Sequence, residues 1–256
     1  MLRSEKRARS LEKDSWRSLQ RNSEFSVENH GPLAWHVRAG RISEAAQKIL
    51  AAPDRFLEQT TLLKRGSGTT IGGGGGLVLK RYNFRSDRVL KDLFRHSKGL
   101  KAYRKAYHLE LAGIPTAAAL AAAEERHFGL RWRSFFLMTE IAPAQNLRWC
   151  VPDRAKLEAA ARLIAHLHRE GFSHADLKPD NILLDAEERA FIVDVDALCF
   201  VGRLSAQQVE ADLEPFFRAA SEFGDFLRAH RKEFFDRYEA ARACSNPSAP
   251  YIAPKD

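Results

Sequence analysis

The chain has 256 residues, 45% of them apolar and 29% charged, with a net charge of +8, and this balance excludes an intrinsically disordered protein. Its longest alanine and leucine run, residues 117–123, is too short to span a bilayer, and three widely separated cysteines exclude a disulfide framework. Because the charged amino terminus lacks the apolar core of a signal peptide, we expect a cytoplasmic protein.

The first 55 residues differ in texture from the rest of the chain. Residues 1–30 are polar and basic with weak periodicity, so they fit a frayed helix or a disordered tail. The segment ISEAAQKIL, residues 42–50, predicts a short helix from the spacing of its apolar positions. We therefore predict an N-terminal basic and helical extension over residues 1–55.

Short strands are predicted from Thr60 onward. The segments TTLLK, GTTI and LVLKRY are separated by glycine-bearing turns, which indicates a three-strand meander. Five glycines, Gly72–Gly76, lie between the last two strands. A Walker-type phosphate loop places lysine directly after its last glycine. Here Leu77–Leu79 separate the run from Lys80, so the run is predicted to be a turn between strands.

Helices dominate the later part of the chain. Helices are predicted over residues 86–94 and 97–113, followed by a buried strand, SFFLMTE, at 134–140. The clearest helix covers residues 152–171, between Pro152 and Gly171, and a helical tail of about fifty residues ends the chain. The natural boundary between a β-rich part and a helical part lies near residues 143–146.

Positive charge is concentrated in one segment. Residues 80–105 hold ten lysines and arginines against two aspartates, a surplus equal to the net charge of the whole chain. Such a segment fits either an anionic partner or a solvated helix face. Tyr103 and Tyr107 recur at the spacing of a buried helix face, so base stacking is disfavoured and no nucleic-acid partner is expected.

The segment HADLKPDNILLD carries the clearest chemistry. Transfer of a phosphoryl group to a hydroxyl needs a carboxylate that accepts the proton, a cation near the phosphate, and oxygen ligands for magnesium. Asp176, Lys178 and Asn181 match these three needs within six residues. Thirteen residues later, Asp194 follows a strand in FIVDVDAL and is suited to bind magnesium. A polar loop without catalytic function is the alternative.

This pattern resembles the catalytic loop of the protein-kinase-like superfamily. More specifically, the segments LVLKRYN, AGIPT, FFLMTE, HADLKPDNILL and IVDVDAL, in this order, resemble the bacterial lipopolysaccharide-core kinase family, which phosphorylates Kdo or heptose. The resemblance runs from about Thr60 to Ala197. It implies an α+β, two-lobed fold with a small antiparallel β-rich N-lobe, residues 56–142, and a reduced, mainly helical C-lobe, residues 143–256.

The resemblance also implies roles for individual residues. Asp176 and Lys178 would be catalytic, while Asn181 and Asp194 would hold magnesium. Residues expected to bind ATP are Gly66, Gly68, Val78, Lys80, Glu140 and Ile141. Lys80 would contact the α- and β-phosphates and Val78 the adenine. Gly66 and Gly68 lie in RGSGTT, where the backbone could approach the phosphates, although Ile71 replaces the third glycine of the usual pattern.

Several residues depart from the protein-kinase pattern. Ala175 replaces the arginine that usually precedes the catalytic aspartate, and Asp196 and Ala197 stand where glycine is expected. The helix glutamate that should pair with Lys80 is unclear, since Glu110 lies in the last turn of its predicted helix and also suits a surface or capping role.

The function implied is an ATP- and magnesium-dependent kinase acting on a sugar hydroxyl of the lipopolysaccharide inner core. Such an enzyme would work at the cytoplasmic face of the inner membrane, and the basic segment 85–105 could contact anionic lipid there. Two alternatives stay open. One is a kinase of the same fold that acts on protein Ser/Thr or another small molecule, and the other is a nucleotide-binding protein without catalysis.

Overall fold

The computed structural model describes residues 2–83, 96–127 and 130–243. The chain divides into two compact units, which are described separately below. The first comprises residues 1–12, 109–117 and 141–256, and the second comprises residues 13–108 and 118–140. The helix predicted over 86–94 and Cys244 lie outside the described residues.

Runs of strands and groups of helices follow one another along the described chain. The helices are α1 (Leu2–Ser15), α2 (Glu44–Ala51), α3 (Pro53–Gln59), α4 (Lys98–Leu111), α5 (Arg154–Arg169), α6 (Ala206–Phe217), α7 (Glu222–Ala229) and α8 (Arg231–Ala243). The strands are β1 (Phe25–His30), β2 (Leu33–Arg38), β3 (Thr61–Arg65), β4 (Thr69–Gly74), β5 (Leu77–Tyr82), β6 (Ala119–His127), β7 (Leu130–Thr139), β8 (Ala144–Asn146), β9 (Phe172–His174), β10 (Ile182–Asp185), β11 (Ala190–Ile192) and β12 (Leu198–Phe200).

The second unit is built on one antiparallel sheet of seven described strands, in the order β1-β2-β6-β7-β5-β4-β3. The predicted meander of β3, β4 and β5 is confirmed. The predicted 1–55 extension, however, is wrong as a separate segment. Strands β1 and β2 pair with each other, and β2 pairs with β6, so residues 25–38 belong to the sheet.

Both faces of this sheet are covered. On one face, α2 and α3 pack against the sheet through Leu50 and Leu57, next to buried Leu79 of β5. On the other face, the Tyr103 ring of α4 lies 6.2 Å from that of Phe136. These contacts explain why α2 and α3 form part of the unit, because they bury the apolar face that the strands create.

Strand β6 contradicts intrinsic propensity. Ala121, Ala122 and Ala123 are fully buried in it although alanine favours helices. The strand lies between β2 and β7 and bonds to both. Ladder pairing on both sides and burial of both sheet faces therefore override the local preference, and the sequence alone did not predict this strand.

The glycine run has two parts. Gly75 and Gly76 form the two-residue turn between β4 and β5 and have φ values of 63° and 76°, which favour glycine. The other three, Gly72–Gly74, belong to β4 and pair with Leu77–Leu79. The predicted turn is thus confirmed for only the last two glycines.

The first unit is mainly helical. Helix α5 begins after Asp153, whose side chain caps it by accepting the N–H of Lys156 at 2.8 Å, so the predicted start at Pro152 is two residues early. Its face packs against α8. Two small sheets, β8-β10-β11 and β9-β12, flank the loops that carry Asp176 and Asp194. Within the described ranges, no helix is long and apolar enough to cross a membrane.

Candidate active site

The loop between β9 and β10 carries three of the predicted site residues. Lys178 Nζ lies 2.9 Å from Asp176 Oδ2, and both side chains are partly exposed. The Asn181 amide donates to the Asp176 carbonyl oxygen at 2.7 Å and lies 3.4 Å from Oδ2 of the same residue. The structure therefore brings Asp176, Lys178 and Asn181 together, with the carboxylate at the centre.

Lys178 keeps its positive charge in this loop. Its hydrogen bond to Asp176 raises its pKa above the ordinary lysine value, while burial opposes that shift only partly. The negative charges of Asp180 and Asp194 act in the same direction. A lysine held in this way presents a fixed cation beside a carboxylate, and such a pair is suited to phosphoryl transfer to a hydroxyl.

Asp194 lies beside the same loop. The N–H of Val193 donates to the carbonyl of Asn181 at 2.9 Å, which ties the end of β11 to the loop that carries Asp176. Asp194 itself adopts a left-handed conformation with φ 58° and ψ 60°. A non-glycine residue rarely takes this conformation, and such strain is concentrated at functional sites.

The donor chemistry of this region fits magnesium. Because the Asn181 nitrogen donates to the Asp176 carbonyl, its Oδ1 atom is directed elsewhere and is suited to be a ligand. Together with the Asp194 carboxylate, it offers the hard oxygen ligands that magnesium prefers. Within the described ranges, no group of three or more His, Cys, Asp or Glu side chains is arranged to hold a metal ion.

Asp212 in α6 anchors the end of β9, just before the loop that carries Asp176, and sequence reasoning missed it. Its carboxylate accepts the backbone N–H of His174 at 2.7 Å and the Ser173 hydroxyl at 2.8 Å. It also lies 3.3 Å from His168 Nε2, and the other ring nitrogen of His168 is 2.8 Å from the Tyr238 hydroxyl.

Within this buried cluster, the pKa of Asp212 is lowered and that of Tyr238 is raised. Burial alone would raise the pKa of Asp212, but hydrogen bonds from His168, His174 and Ser173 outweigh it and hold the pKa below its ordinary value. Burial raises the pKa of Tyr238 to about 12. The available sequence signal was an aspartate on the apolar face of α6, between the buried Val209 and Leu213.

Strand β5 of the second unit carries two of the residues predicted to contact ATP, Val78 and Lys80. Leu77 and Leu79 face the core, so Val78 and Lys80 lie on the opposite face of the strand, as predicted from side-chain alternation. Lys80 is buried, with its ammonium group 5.2 Å from the centre of the Tyr82 ring.

Leu63 is a further apolar residue on this face that sequence reasoning missed. A bulge in β3 between Leu62 and Lys64 redirects it, and 59% of it stays exposed. A Cβ atom at Gly73 would lie 3.1 Å from the Leu63 side chain and 3.5 Å from that of Val78. Gly73 thus leaves room where these two apolar side chains approach the same spot.

Gly66 and Gly68 lie in the loop between β3 and β4. Neither has a positive φ, and a Cβ atom at Gly68 would meet nothing within 4 Å. The fold therefore does not require glycine at Gly68, in contrast to Gly75 and Gly76. A close approach of another molecule remains a physical reason for the small residue.

Glu140 and Ile141, which are expected to bind ATP, follow β7, and part of the backbone there is already hydrogen-bonded within the protein. The N–H of Glu140 donates to the carbonyl of Gly76 at 2.8 Å, so this donor is used inside the sheet. The N–H of Thr139 likewise donates to Ala118. The carbonyl of Glu140 and the backbone of Ile141 are the groups that stay candidates for adenine.

A further prediction concerns Glu110 of α4. Glu110 lies in its last turn, where its carbonyl accepts the N–H of Gly113 at 2.9 Å. Glu110 and Lys80 belong to different units, and their pairing stays a prediction.

In the basic segment, residues 85–95 lie outside the described part. Arg104 stacks on Trp16 at 4.1 Å and donates to the Ser15 hydroxyl, so it is engaged within the protein.

Comparison with protein families decides the family. The model of the lipopolysaccharide kinase (Kdo/WaaP) family matches residues 83–238, which include Asp176, Asp194 and Asp212. The chain belongs to this family. The predicted family is therefore confirmed.

Curated relatives within the Kdo/WaaP family match the chain over part of its length. A 3-deoxy-D-manno-octulosonic acid kinase of Xylella fastidiosa (strain M23) is 31% identical over 132 residues, covering 48% of this chain and 53% of the relative. The protein of the same name from Stenotrophomonas maltophilia (strain R551-3) is 34% identical over 125 residues, covering 48% and 49%. The matches thus span about half the length of these relatives.

A solved structure supports the fold of this Kdo/WaaP family member. The structure titled "WaaP in complex with acyl carrier protein" is 21% identical and covers 78% of this chain and 88% of that one, with a TM-score of 0.54. At this identity the likeness concerns the fold alone. With the antiparallel sheet of one unit and the helices of the other, it confirms the predicted α+β, protein-kinase-like fold class.

Proposed function

We propose that this chain is a kinase that transfers the γ-phosphoryl group of ATP to a hydroxyl of a sugar in the lipopolysaccharide inner core. One observation carries the proposal: Asp176, Lys178 and Asn181 are held in one hydrogen-bonded loop, to which the strand end before Asp194 is also bonded. Membership of the lipopolysaccharide kinase (Kdo/WaaP) family supports the acceptor class.

The proposed reaction forms one P–O bond, breaks another and transfers one proton. The acceptor oxygen forms a bond to the γ-phosphorus, and the bond from that phosphorus to the bridging oxygen of ADP breaks. Asp176 orients the acceptor hydroxyl and takes its proton. The Lys178 ammonium, 2.9 Å from Asp176, stabilises negative charge on the transferring group.

Magnesium would be held by the Oδ1 atom of Asn181 and the carboxylate of Asp194. When bound, it would neutralise the negative charge on the phosphate oxygens of ATP. The hydrogen bond from Asn181 to the Asp176 carbonyl orients the asparagine for this role. The hydrogen bond between Val193 and Asn181 keeps the two ligand-bearing segments in register.

Several further residues would contact the nucleotide. Lys80 would contact the α- and β-phosphates, and Val78 would pack on the adenine together with Leu63. Gly66 and Gly68 would allow the backbone of their loop to approach the phosphates. The backbone of Glu140 and Ile141 would meet the polar edge of the adenine.

The acceptor would place the reaction at a membrane surface. The matched relatives are named as kinases of 3-deoxy-D-manno-octulosonic acid, a sugar, and we infer the same class of acceptor here. A lipid-linked acceptor would bring the protein to the cytoplasmic face of the inner membrane. The basic segment 85–105 would there contact anionic lipid.

A direct transfer assay tests the proposal. The purified chain is incubated with magnesium and ATP labelled at the γ-phosphate, with either purified lipopolysaccharide core or a mixture of proteins as acceptor. We expect label in the core sugar for the natural chain and none for Asp176→Ala, which should still bind ATP. Asp236→Ala, a change to an exposed residue of α8 paired with Lys232, serves as the matched control and should retain activity.

The other outcomes each contradict the proposal in a distinct way. Label in protein rather than in sugar would identify a protein kinase. ATP binding without magnesium-dependent transfer to any acceptor would indicate a nucleotide-binding protein without catalysis. Full transfer by Asp176→Ala would overturn the assigned mechanism.

A further inference from the structure

A single residue, Asn83, binds three consecutive carbonyl groups of the loop that contains Gly66 and Gly68. Its backbone N–H donates to the carbonyl of Gly68 at 3.1 Å. Its side-chain amide donates to the carbonyl of Ser67 at 3.3 Å and lies 3.5 Å from that of Gly66. Asn83 directly follows β5, two residues after Arg81, so it connects the strand that carries Lys80 to this loop.

The orientation of the Asn83 amide is itself fixed. Arg81 Nε donates to Asn83 Oδ1 at 3.0 Å, so the NH2 group must face the loop. The Arg81 guanidinium is held in turn by Asp54 of α3, with Nη1 2.8 Å from Oδ1. The other oxygen of Asp54 binds Arg133 of β7. A continuous set of polar contacts therefore runs from α3 to the loop.

The loop needs such a tether for a physical reason. Gly66 and Gly68 have no side chains with which to fix the loop, and Ser67 between them is exposed. Fixing the backbone of a loop costs conformational entropy, so a loop that must become ordered around a ligand binds that ligand with lower affinity. Each contact to Asn83 removes part of that loss before binding.

The contacts with Asn83 also set the orientation of the carbonyl groups in the loop. A carbonyl oxygen that accepts a hydrogen bond from Asn83 is not free to turn toward a phosphate, which it would repel. Phosphate binding by a backbone loop uses N–H groups, so holding the carbonyls aside favours the binding conformation. The N–H of Gly66 already donates to the carbonyl of Thr69 at 2.9 Å, so the N–H groups of Ser67 and Gly68 are the donors that this orientation would present.

We propose that Asn83 is a positioning residue, oriented by Arg81, which holds the Gly66–Gly68 loop in the conformation that receives the phosphates of ATP. The inference rests on the proposed function, because it concerns how the same nucleotide is bound. Asn83 acts through the loop backbone and not on the reacting atoms. Its loss should therefore change the KM for ATP and leave kcat and the KM for the acceptor unchanged.

The test compares Asn83→Ala with the natural chain. We expect the KM for ATP to rise about tenfold, in line with the loss of one to two net hydrogen bonds. Amide hydrogen exchange without nucleotide should become faster at residues 66–69 and stay unchanged elsewhere in the sheet. Asn29→Ala, at an exposed position of β1, is the matched control and should alter neither quantity.

Arg81→Lys tests the second step. Lysine keeps a positive charge for Asp54 but has no Nε–H in place to orient Asn83, so a smaller rise in KM for ATP is expected. The double variant should match Asn83→Ala alone, because Arg81 acts on the loop through Asn83. Additive effects of the two changes would contradict this order of contacts.

Failure of the inference differs from failure of the proposed function. If the natural chain binds ATP and transfers phosphate but Asn83→Ala keeps the same KM and exchange rates, only the role of Asn83 is overturned. If the natural chain binds no ATP, both are overturned.

Discussion

The carboxylate of Asp212 accepts the backbone N–H of His174 at 2.7 Å, which joins α6 to the end of β9, just before the loop that carries Asp176, across 38 residues of sequence. The same carboxylate accepts the hydroxyl of Ser173 and lies 3.3 Å from His168 of α5. Both His174 and Asp212 are buried. The placement of the loop that carries Asp176 therefore depends on Asp212, which lies in helix α6.

Replacing Asp212 should destabilise the fold strongly. Asp212→Ala leaves the His174 N–H, the Ser173 hydroxyl and His168 without their shared buried acceptor, and we expect the free energy of unfolding to fall by about 3 kcal/mol. Chemical denaturation measures the change. Asp225→Ala removes an exposed carboxylate of α7 paired with Arg228 and should cost less than about 1 kcal/mol. Equal losses for the two variants would contradict the assigned role.

Stability should fall as the pH is lowered from 6.5 to 4, because of His108. Burial, assisted by the charge of Arg104, lowers the pKa of His108 from 6.5 to about 4. Between these values the unfolded chain binds a proton that the folded chain does not, so stability is fully present above pH 6.5 and is lost on acidification. The difference corresponds to about 3 kcal/mol at most.

The variant His108→Phe checks this dependence. Denaturation midpoints measured from pH 7 to pH 4 should fall less steeply than those of the natural chain. A remaining slope is expected, because burial also lowers the pKa of His36, His166 and His174. An unchanged slope in His108→Phe would refute the prediction.

Glycines in the two neighbouring turns should behave in opposite ways. Gly68→Ala meets open space at a normal φ, so stability should stay the same or rise by roughly 0.4–1 kcal/mol, while the methyl group hinders the approach of phosphates. We expect a KM for ATP that is raised several-fold.

The matched change Gly75→Ala lies at φ 63° and should lower stability by about 1 kcal/mol with little effect on the KM for ATP. Thermal unfolding and ATP titration of both variants give the comparison. Loss of ATP affinity in Gly75→Ala but not in Gly68→Ala would reverse the assignment of the two turns.

Lys178 should matter for turnover more than for binding. Lys178→Ala removes the cation 2.9 Å from Asp176, and we expect kcat to fall by about 10²–10³ with a nearly unchanged KM for ATP. Lys178→Arg should restore part of the activity.

Lys156→Ala is the control for Lys178. It removes another lysine whose pKa is raised by a hydrogen-bonded aspartate, Asp153, at the start of α5. Steady-state kinetics should show near-natural turnover for this variant. A fall in kcat as large as that of Lys178→Ala would show that general electrostatics, and not the position of Lys178, explains the effect.

Local patterns predicted much of this molecule because their physical causes are local. The meander of β3, β4 and β5 followed from alternating segments and turn glycines, and α5 followed from its apolar stripe. The spacing of Asp176, Lys178 and Asn181 also predicted their grouping, since a short loop cannot separate them. Each of these predictions rests on residues within about twenty positions of one another.

Other features were missed because distant residues create them. Strand β6 exists because β2 and β7 pair with it on both sides, although its alanines favour a helix. Strand β1 lies in a polar segment with weak periodicity, and the place of β1 and β2 at the sheet edge depends on the pairing of β2 with β6. The exposed Leu63 acquires its orientation from a bulge in β3, and no local pattern in TLLKR predicted that bulge.

The sequence by itself determined the family, the fold class and the cluster around Asp176, because these depend on residue types at fixed short spacings. Only the tertiary structure decided what holds that cluster and its neighbouring loops in place. Asp212 reaches His174 across 38 residues, and Asn83 reaches Gly66–Gly68 across 15 to 17. Hydrogen bonds of this kind depend on where folding brings two segments together, and packing of whole helices and strands sets that position.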